Sequence, residues 1–221
     1  MYKEVEEIIH KPEFPLILEE LNHVWKDEQK RREEFYNIIT EQQKAEFIEG
    51  EIIFHSPVMN RHLQVSRRLN LLLSLYSSVH DLGEIYIEKC LVSLTRNDFE
   101  PDICFYSSHK AKKFTSEQMK HPAPDFVVEI LSESTEKYDR GVKFSDYAFH
   151  KIPEYWIIDP EKEILEQYLL NISNYELNFK GKTGIVENTV IKGFKLFVPA
   201  LFDENDWKIE YNKLINNPKS I

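Results

Sequence analysis

A chain of 221 residues that is 42% hydrophobic and 13% aromatic can bury a full core, and it fits one mid-sized domain with appendages. Its formal net charge of -10 argues against strong nonspecific binding to a polyanion, since that affinity comes largely from Lys and Arg neutralising phosphates. No apolar stretch approaches the roughly 18 residues that span a bilayer, and Met1-Tyr-Lys-Glu-Val-Glu-Glu lacks the basic and apolar start of a secretion signal, so the expectation is a cytoplasmic protein without membrane contact.

In chain order, residues 13–43 combine helical spacing (Leu18, Leu21, Trp25, Phe35, Ile39) with a charged run. Asp27 with Arg31 and Glu28 with Arg32 lie four apart, which suits an exposed helix stabilised by side-chain pairs. Residues 1–44 are therefore read as an N-terminal helical appendage, and 45–221 as the main domain. Ala45–Ile48 and Glu51–Phe54 predict a hairpin whose two-residue turn, Glu49-Gly50, uses Gly50 for positive φ. Ser56-Pro57 offers a helix start, and His62, Val65, Leu69, Leu72, Tyr76 and Val79 recur at helical spacing. From Gly83 the pattern turns to alternation and apolar runs, at 84–94, 102–106, 125–131, 155–158, 164–170 and 175–179, with a helix predicted over 139–151 and ended near Pro153. The sum is an α/β fold with a central mixed β-sheet flanked by helices. Cys90 and Cys104 sit in strand-like runs without metal or disulfide spacing and read as core residues. Arg61, Arg67 and Arg68, and Lys110, Lys112, Lys113 and Lys120, are local basic clusters that serve equally well as solvated surface.

Two predicted strands carry acids among apolar residues: Pro101-Asp102-Ile-Cys-Phe and Pro124-Asp125-Phe-Val-Val-Glu129-Ile-Leu. An unpaired buried carboxylate costs several kcal/mol, so these acids want a cation, a proton or a donor network. Asp125 and Glu129 are four apart on one strand, about 13 Å, and cannot share an ion. Asp102, on another strand, can come beside Glu129, and two such oxygens suit Mg²⁺ or Mn²⁺. Asp102 and Glu129 are the expected metal pair. Asp125 is expected to tie down a loop or a basic group, and Glu154 and Asp159 to be structural acids.

The order and spacing of Glu46-Phe-Ile-Glu-Gly-Glu, Ser56-Pro, His62, Pro101-Asp102, Pro124-Asp-Phe-Val-Val-Glu-Ile-Leu-Ser, Ser134-Thr, Asp139-Arg-Gly-Val-Lys143, Tyr147 and Pro153-Glu-Tyr-Trp-Ile-Ile-Asp-Pro160 resemble the Uma-type family of the PD-(D/E)xK superfamily over residues 45–180. The resemblance implies a restriction-endonuclease-like core and a Mg²⁺-dependent endonuclease acting on nucleic acid, DNA first. It implies that Asp102, Glu129 and the Ile130 carbonyl ligate metal. The residue two after Glu129 is Leu131 where the superfamily has lysine; the matching lysine is Lys143, on a helical face shared with Asp139, Arg140 and Tyr147 and expected to act on the attacking water or the phosphoryl charge. Glu46 is a third acid, with a solvent-facing strand residue as its alternative. His62 is expected to back up Glu46 or meet a phosphate, and Tyr147 to support the site. Cutting two strands implies a homodimer, joined through the N-terminal helix or the segment Phe194–Phe202 with Trp207. The alternative reading is a catalytically idle binding module, favoured by the acidic charge.

Overall fold

In the computed structural model, which describes residues 2–216, helices α1 (Lys3–Ile9) and α2 (Phe14–Ile38) come first, with Pro15 in the first turn of α2, where no backbone donor is lost. The predicted hairpin follows as β1 (Ala45–Ile48) and β2 (Glu51–Phe54). Both turn residues, Glu49 and Gly50, take positive φ, 50° and 86°, the primed geometry that matches the twist of the flanking strands. Next come α3 (Asn60–Val79), β3 (Gly83–Ile87), β4 (Leu91–Ser93), β5 (Asp98–Phe99), β6 (Ile103–Ser107), α4 (Ser108–Ala111), β7 (Lys120–His121) and β8 (Phe126–Ile130). The chain continues through α5 (Glu136–Asp139), α6 (Val142–Phe149), β9 (Glu154–Asp159), β10 (Ile164–Asn171), β11 (Asn174–Gly181), β12 (Ile185–Glu187) and β13 (Lys195–Phe197), then a 3-10 turn (Val198–Leu201) and α7 (Glu204–Asn216).

The main sheet has the order β11-β10-β9-β8-β6-β3 and is mixed: β8 and β9 run parallel, the other neighbours antiparallel. A parallel neighbour needs a crossover, and α5 and α6 provide it. Strand alternation sends Ile103, Phe105, Phe126, Val128 and Trp156 to one face, against Val65, Leu69, Leu72 and Tyr76 of α3. Cys104, Tyr106, Val127 and Tyr155 go to the other face, against Tyr147 and Ala148 of α6. Because both faces are covered, β8 and β9 read as nearly continuous apolar runs in the sequence.

A second sheet, β2-β1-β5-β4-β7, lies under α2. All four residues of β1 are buried: Ala45 and Phe47 pack with Phe35 of α2, while Ile48 joins the core around Tyr147. Glu46 is therefore not the solvent-facing strand residue offered as its alternative.

Several expectations need correcting. The Glu28–Arg32 pair on an exposed helix does not form, because the second half of α2 rests on the sheet: Arg32 grips Asp98 and Glu28 takes Arg96. The helix expected over 139–151 is broken at Arg140-Gly141, so Arg140 leaves the face of Lys143 and bonds Glu136 and Glu166. Four strands of two or three residues (β5, β7, β12 and β13) and helix α7 went unforeseen; so short a strand shows no period. Phe194, Val198, Leu201 and Trp207 are buried in the protein's own core, so this segment is not the dimer contact expected of it. Cys90 and Cys104 are buried and free. Among the described residues no helix is long and apolar enough to cross a membrane.

Candidate active site

Asp102 immediately precedes β6 and Glu129 is the penultimate residue of β8. The antiparallel register pairs Ile103 with Val128, which brings the two acids to the same end of the sheet. There the Asp102 N–H points at Glu129 Oε2, 3.4 Å away. From α6, Lys143 Nζ reaches Glu129 Oε1, Glu46 Oε1 and Asp139 Oδ1, each at 3.0 Å, and Tyr147 donates its hydroxyl to Glu129 Oε1 at 2.9 Å. Asp102 Oδ2 accepts the Ile130 N–H at 2.8 Å and His62 Nε2–H at 3.2 Å, while its Oδ1 accepts from Lys44 Nζ at 2.7 Å. Both oxygens of Glu46 are spoken for, Oε1 by the Glu100 N–H and Oε2 by His55 Nε2–H. These groups line a cavity of about 250 Å³ bounded by Lys44, His62, Asp102, Glu129, Asp139 and Lys143.

The electrostatics follow from burying charge. Burial alone would raise Glu46, but Lys143, with His55 and Lys44, outweighs it and holds this carboxyl down at about 2. Asp102 is likewise pulled well below the usual carboxylate range, against its burial, by Lys44 and His62. Glu129 goes the other way: burial, reinforced by Asp139, Asp102 and Glu46, overcomes Lys143 and pushes it up to about 8. Asp139 is raised for the same reason. Burial disfavours the Lys143 ammonium, yet Asp139, Glu129 and Glu46 keep it charged.

Glu129 makes a pH prediction. Its folded value, about 8, lies above its ordinary value of 4.5, so between these limits the folded state binds more protons than the unfolded state. This contribution to stability is therefore complete below pH 4.5 and is lost as pH rises through 8. Thermal unfolding in EDTA should show the wild-type midpoint falling from pH 5.5 to 8.5 more steeply than that of Glu129→Gln. Equal slopes would remove Glu129 as the titrating group.

Among the described residues no three His, Cys, Asp or Glu side chains are arranged as a ready-made metal site, so a hard divalent cation would rest on the two acids Asp102 and Glu129, with water completing its shell. Four carboxylates (Glu46, Asp102, Glu129, Asp139) face two ammonium groups (Lys44, Lys143), which leaves two negative charges when all are ionised. Among the described residues Asp102 Oδ1 is held by Lys44 alone, at 2.7 Å, and Glu129 Oε2 by the Asp102 N–H alone, at 3.4 Å, so these are the two oxygens an ion would take, the first by displacing the lysine.

The structure thus brings Asp102, Glu129, Lys143, Glu46, His62 and Tyr147 into one cluster, with Ile130 in its wall. His62 backs Asp102 and not Glu46; the histidine on Glu46 is His55. Ile130 meets Asp102 through its N–H. Asp125 lies outside the cluster, bound to Lys110 and the Ser107 N–H as a loop tie. Glu154 accepts from Trp156, Gln167 and Thr189, and Asp159 caps the turn at Glu161 and Lys162. Lys44, His55 and Asp139 carried no site role in the sequence. A signal existed for the first two: Lys44 and Glu46, two apart on an extended segment, share a face, and hairpin pairing puts His55 opposite Lys44. The basic clusters are largely engaged within the chain: Arg61 with Glu161, Arg67 and Arg68 with Glu204, Lys110 with Asp125.

Comparison with known proteins places these observations. The Uma2 family, described as "Putative restriction endonuclease", matches residues 32–198. Two uncharacterized proteins of Synechocystis sp., sll1609 and slr1290, are 30% identical over 130 residues and 29% over 136, matches that take in 72% and 68% of their lengths. A crystal structure from Anabaena variabilis, described as a "putative nuclease belonging to DUF820", superposes with a TM-score of 0.66 at 18% identity, over 79% of this chain and 97% of that one.

Proposed function

Starting from the fact that this chain belongs to the Uma2 family, we propose that it is a Mg²⁺-dependent endonuclease that hydrolyses phosphodiester bonds, with DNA as its substrate. The observation that carries this reading is the convergence of Asp102 and Glu129 at one end of the sheet, where both line the same cavity. Bound by these two acids, a divalent ion would act as Lewis acid on a phosphoryl oxygen and lower the pKa of a water. The chain's own work is to hold the acids in register. Ile130 N–H and His62 fix the Asp102 carboxylate, and Lys143 with Tyr147 fixes Glu129, so little reorganisation remains when charge develops. Because its ammonium is already shared by three carboxylates, Lys143 acts in this reading as a positioning residue and not directly on the water.

The test is relaxation of supercoiled plasmid with Mg²⁺, Mn²⁺ or EDTA, comparing wild type with Asp102→Asn and Glu129→Gln. We expect metal-dependent nicking that falls about 10²–10³-fold in either variant, the scale for removing one group of a preorganised electrostatic site. Wild-type activity on RNA alone would change the substrate. Inactivity on every DNA and RNA tried would make the idle binding module the better reading. The homodimer belongs to the same proposal. Its support is the stripe Leu18, Leu21 and Trp25 on α2, exposed at 44%, 56% and 43%. Sedimentation of the same preparation as a strict monomer removes the homodimer.

A further inference from the structure

The two lysines of the site are not equivalent. Lys143 is 2% exposed and shared by three carboxylates, each at 3.0 Å. The Lys44 side chain is 21% exposed, and Asp102 Oδ1 is the one hydrogen-bond partner of its ammonium among the described residues. Its main chain is pinned, because the Lys44 carbonyl accepts the His55 N–H where the hairpin closes at 3.0 Å. Only the side chain needs to turn for the ammonium to leave Asp102. Lys44 also sits on the very oxygen an ion would need, since Asp102 Oδ2 is saturated by Ile130 and His62 while Oδ1 is held by lysine alone.

We propose that Lys44 is a partner-exchanging lysine of this site: its ammonium occupies Asp102 in the metal-free protein, yields Asp102 to the divalent ion, and then contacts a phosphate oxygen of the substrate at the cavity mouth. The proposal rests on the metal-dependent reading above. Its physical basis is the repulsion between an ion on Asp102 and an ammonium 2.7 Å from the same oxygen, which drives the lysine off it; the other acids around Lys44, Glu46, Glu129 and Glu100, already have Lys143 or Lys89 as partners, and the incoming phosphate is the anion that does not. The arrangement keeps Asp102 neutralised before the ion arrives, when an unpaired buried carboxylate would be costly.

The experiment is calorimetric titration of Mn²⁺ alone into wild type, Lys44→Met and Lys44→Arg, with plasmid cleavage by the same three proteins. Lys44→Met keeps the side-chain volume and removes the competing charge, so Mn²⁺ should bind at least tenfold more tightly, about 1.4 kcal/mol, while cleavage falls about tenfold or more. Lys44→Arg keeps the charge and should stay near wild type in Mn²⁺ affinity. A tighter ion with a slower enzyme is a pairing that a merely structural lysine does not produce. Equal or weaker Mn²⁺ binding by Lys44→Met overturns the exchange while leaving the metal-dependent reading intact. Tighter binding with unchanged cleavage overturns the phosphate contact. Wild type that binds no Mn²⁺ removes the metal-dependent reading and the exchange with it.

Discussion

Lys143→Met is expected to lower the stability of the protein by about 3–5 kcal/mol, the cost of leaving buried charge without its partner. In a chain of this size each kcal/mol moves the thermal midpoint by about 2–4 °C, so the shift should be on the order of 10 °C. Methionine preserves the alkyl stem, which keeps the cavity contribution small and makes the loss a measure of charge. The ammonium is buried, is the only cation within 3.0 Å of Glu129 and Asp139 among the described residues, and shares Glu46 with His55. Removing it leaves acids that must take up protons or repel one another. The double variant Lys143→Met/Asp139→Asn should therefore recover part of the loss, as coupled neighbours do. A change below about 1 kcal/mol in Lys143→Met, read from denaturant unfolding, would show that the carboxylates do not depend on this ammonium. Loss of cleavage in a Lys143 variant can be interpreted only together with its unfolding curve, because the same ion pairs hold the site and the fold.

Arg32→Met should cost a similar amount, about 3–5 kcal/mol, at a place far from Lys143 in sequence. The Arg32 guanidinium donates Nε–H to Asp98 Oδ2 at 2.6 Å and Nη2–H to Oδ1 at 3.0 Å, and its remaining donors reach the carbonyls of Leu94 and Thr95 at 2.7 and 2.9 Å. Asp98 is completely buried, with Tyr36 OH as its other donor. Lysine cannot reproduce that planar fork, so Arg32→Lys should be nearly as damaging as Arg32→Met. Because Phe35 packs on Phe47 one turn further along α2, loss of the anchor should also expose residues 14–38 to protease before the rest of the chain. Unchanged cleavage kinetics in that segment would mean that the helix is held by its apolar contacts alone. β5 carries Asp98 and pairs with β1, and the next residues along supply the Glu100 N–H to Glu46, so this anchor adjoins the candidate site.

The legibility of the site differs residue by residue. Asp102 and Glu129 were readable because strand geometry excludes Asp125 as a partner of Glu129 and leaves Asp102. Glu46 and Lys143 were reached only through the resemblance: an acid beside a turn and a lysine on a helix look, one at a time, like solvated surface. Lys44 escapes notice for the same reason, and of the two roles offered for His62 the one on Glu46 falls to His55. Glu28 and Arg32 show the limit most clearly. Four-residue spacing promises them to each other, yet burial against the sheet gives Arg32 a carboxylate that accepts two bonds and gives Glu28 the fork of Arg96.

What the sequence determined by itself was whatever rests on neighbours along the chain: the Glu49-Gly50 hairpin, the apolar stripe of α3, the apolar runs of β8 and β9, and hence a mixed sheet covered on both faces. What only the tertiary structure decided was the pairing of charges, including the choice of Lys44 and Lys143 as counter-ions to four clustered acids. Periodicity is a local property that a short window contains. The partner of a buried charge is set by whichever opposite charge the folded backbone brings within about 3 Å, and separations such as 58 residues for Lys44 and Asp102 leave no trace in such a window.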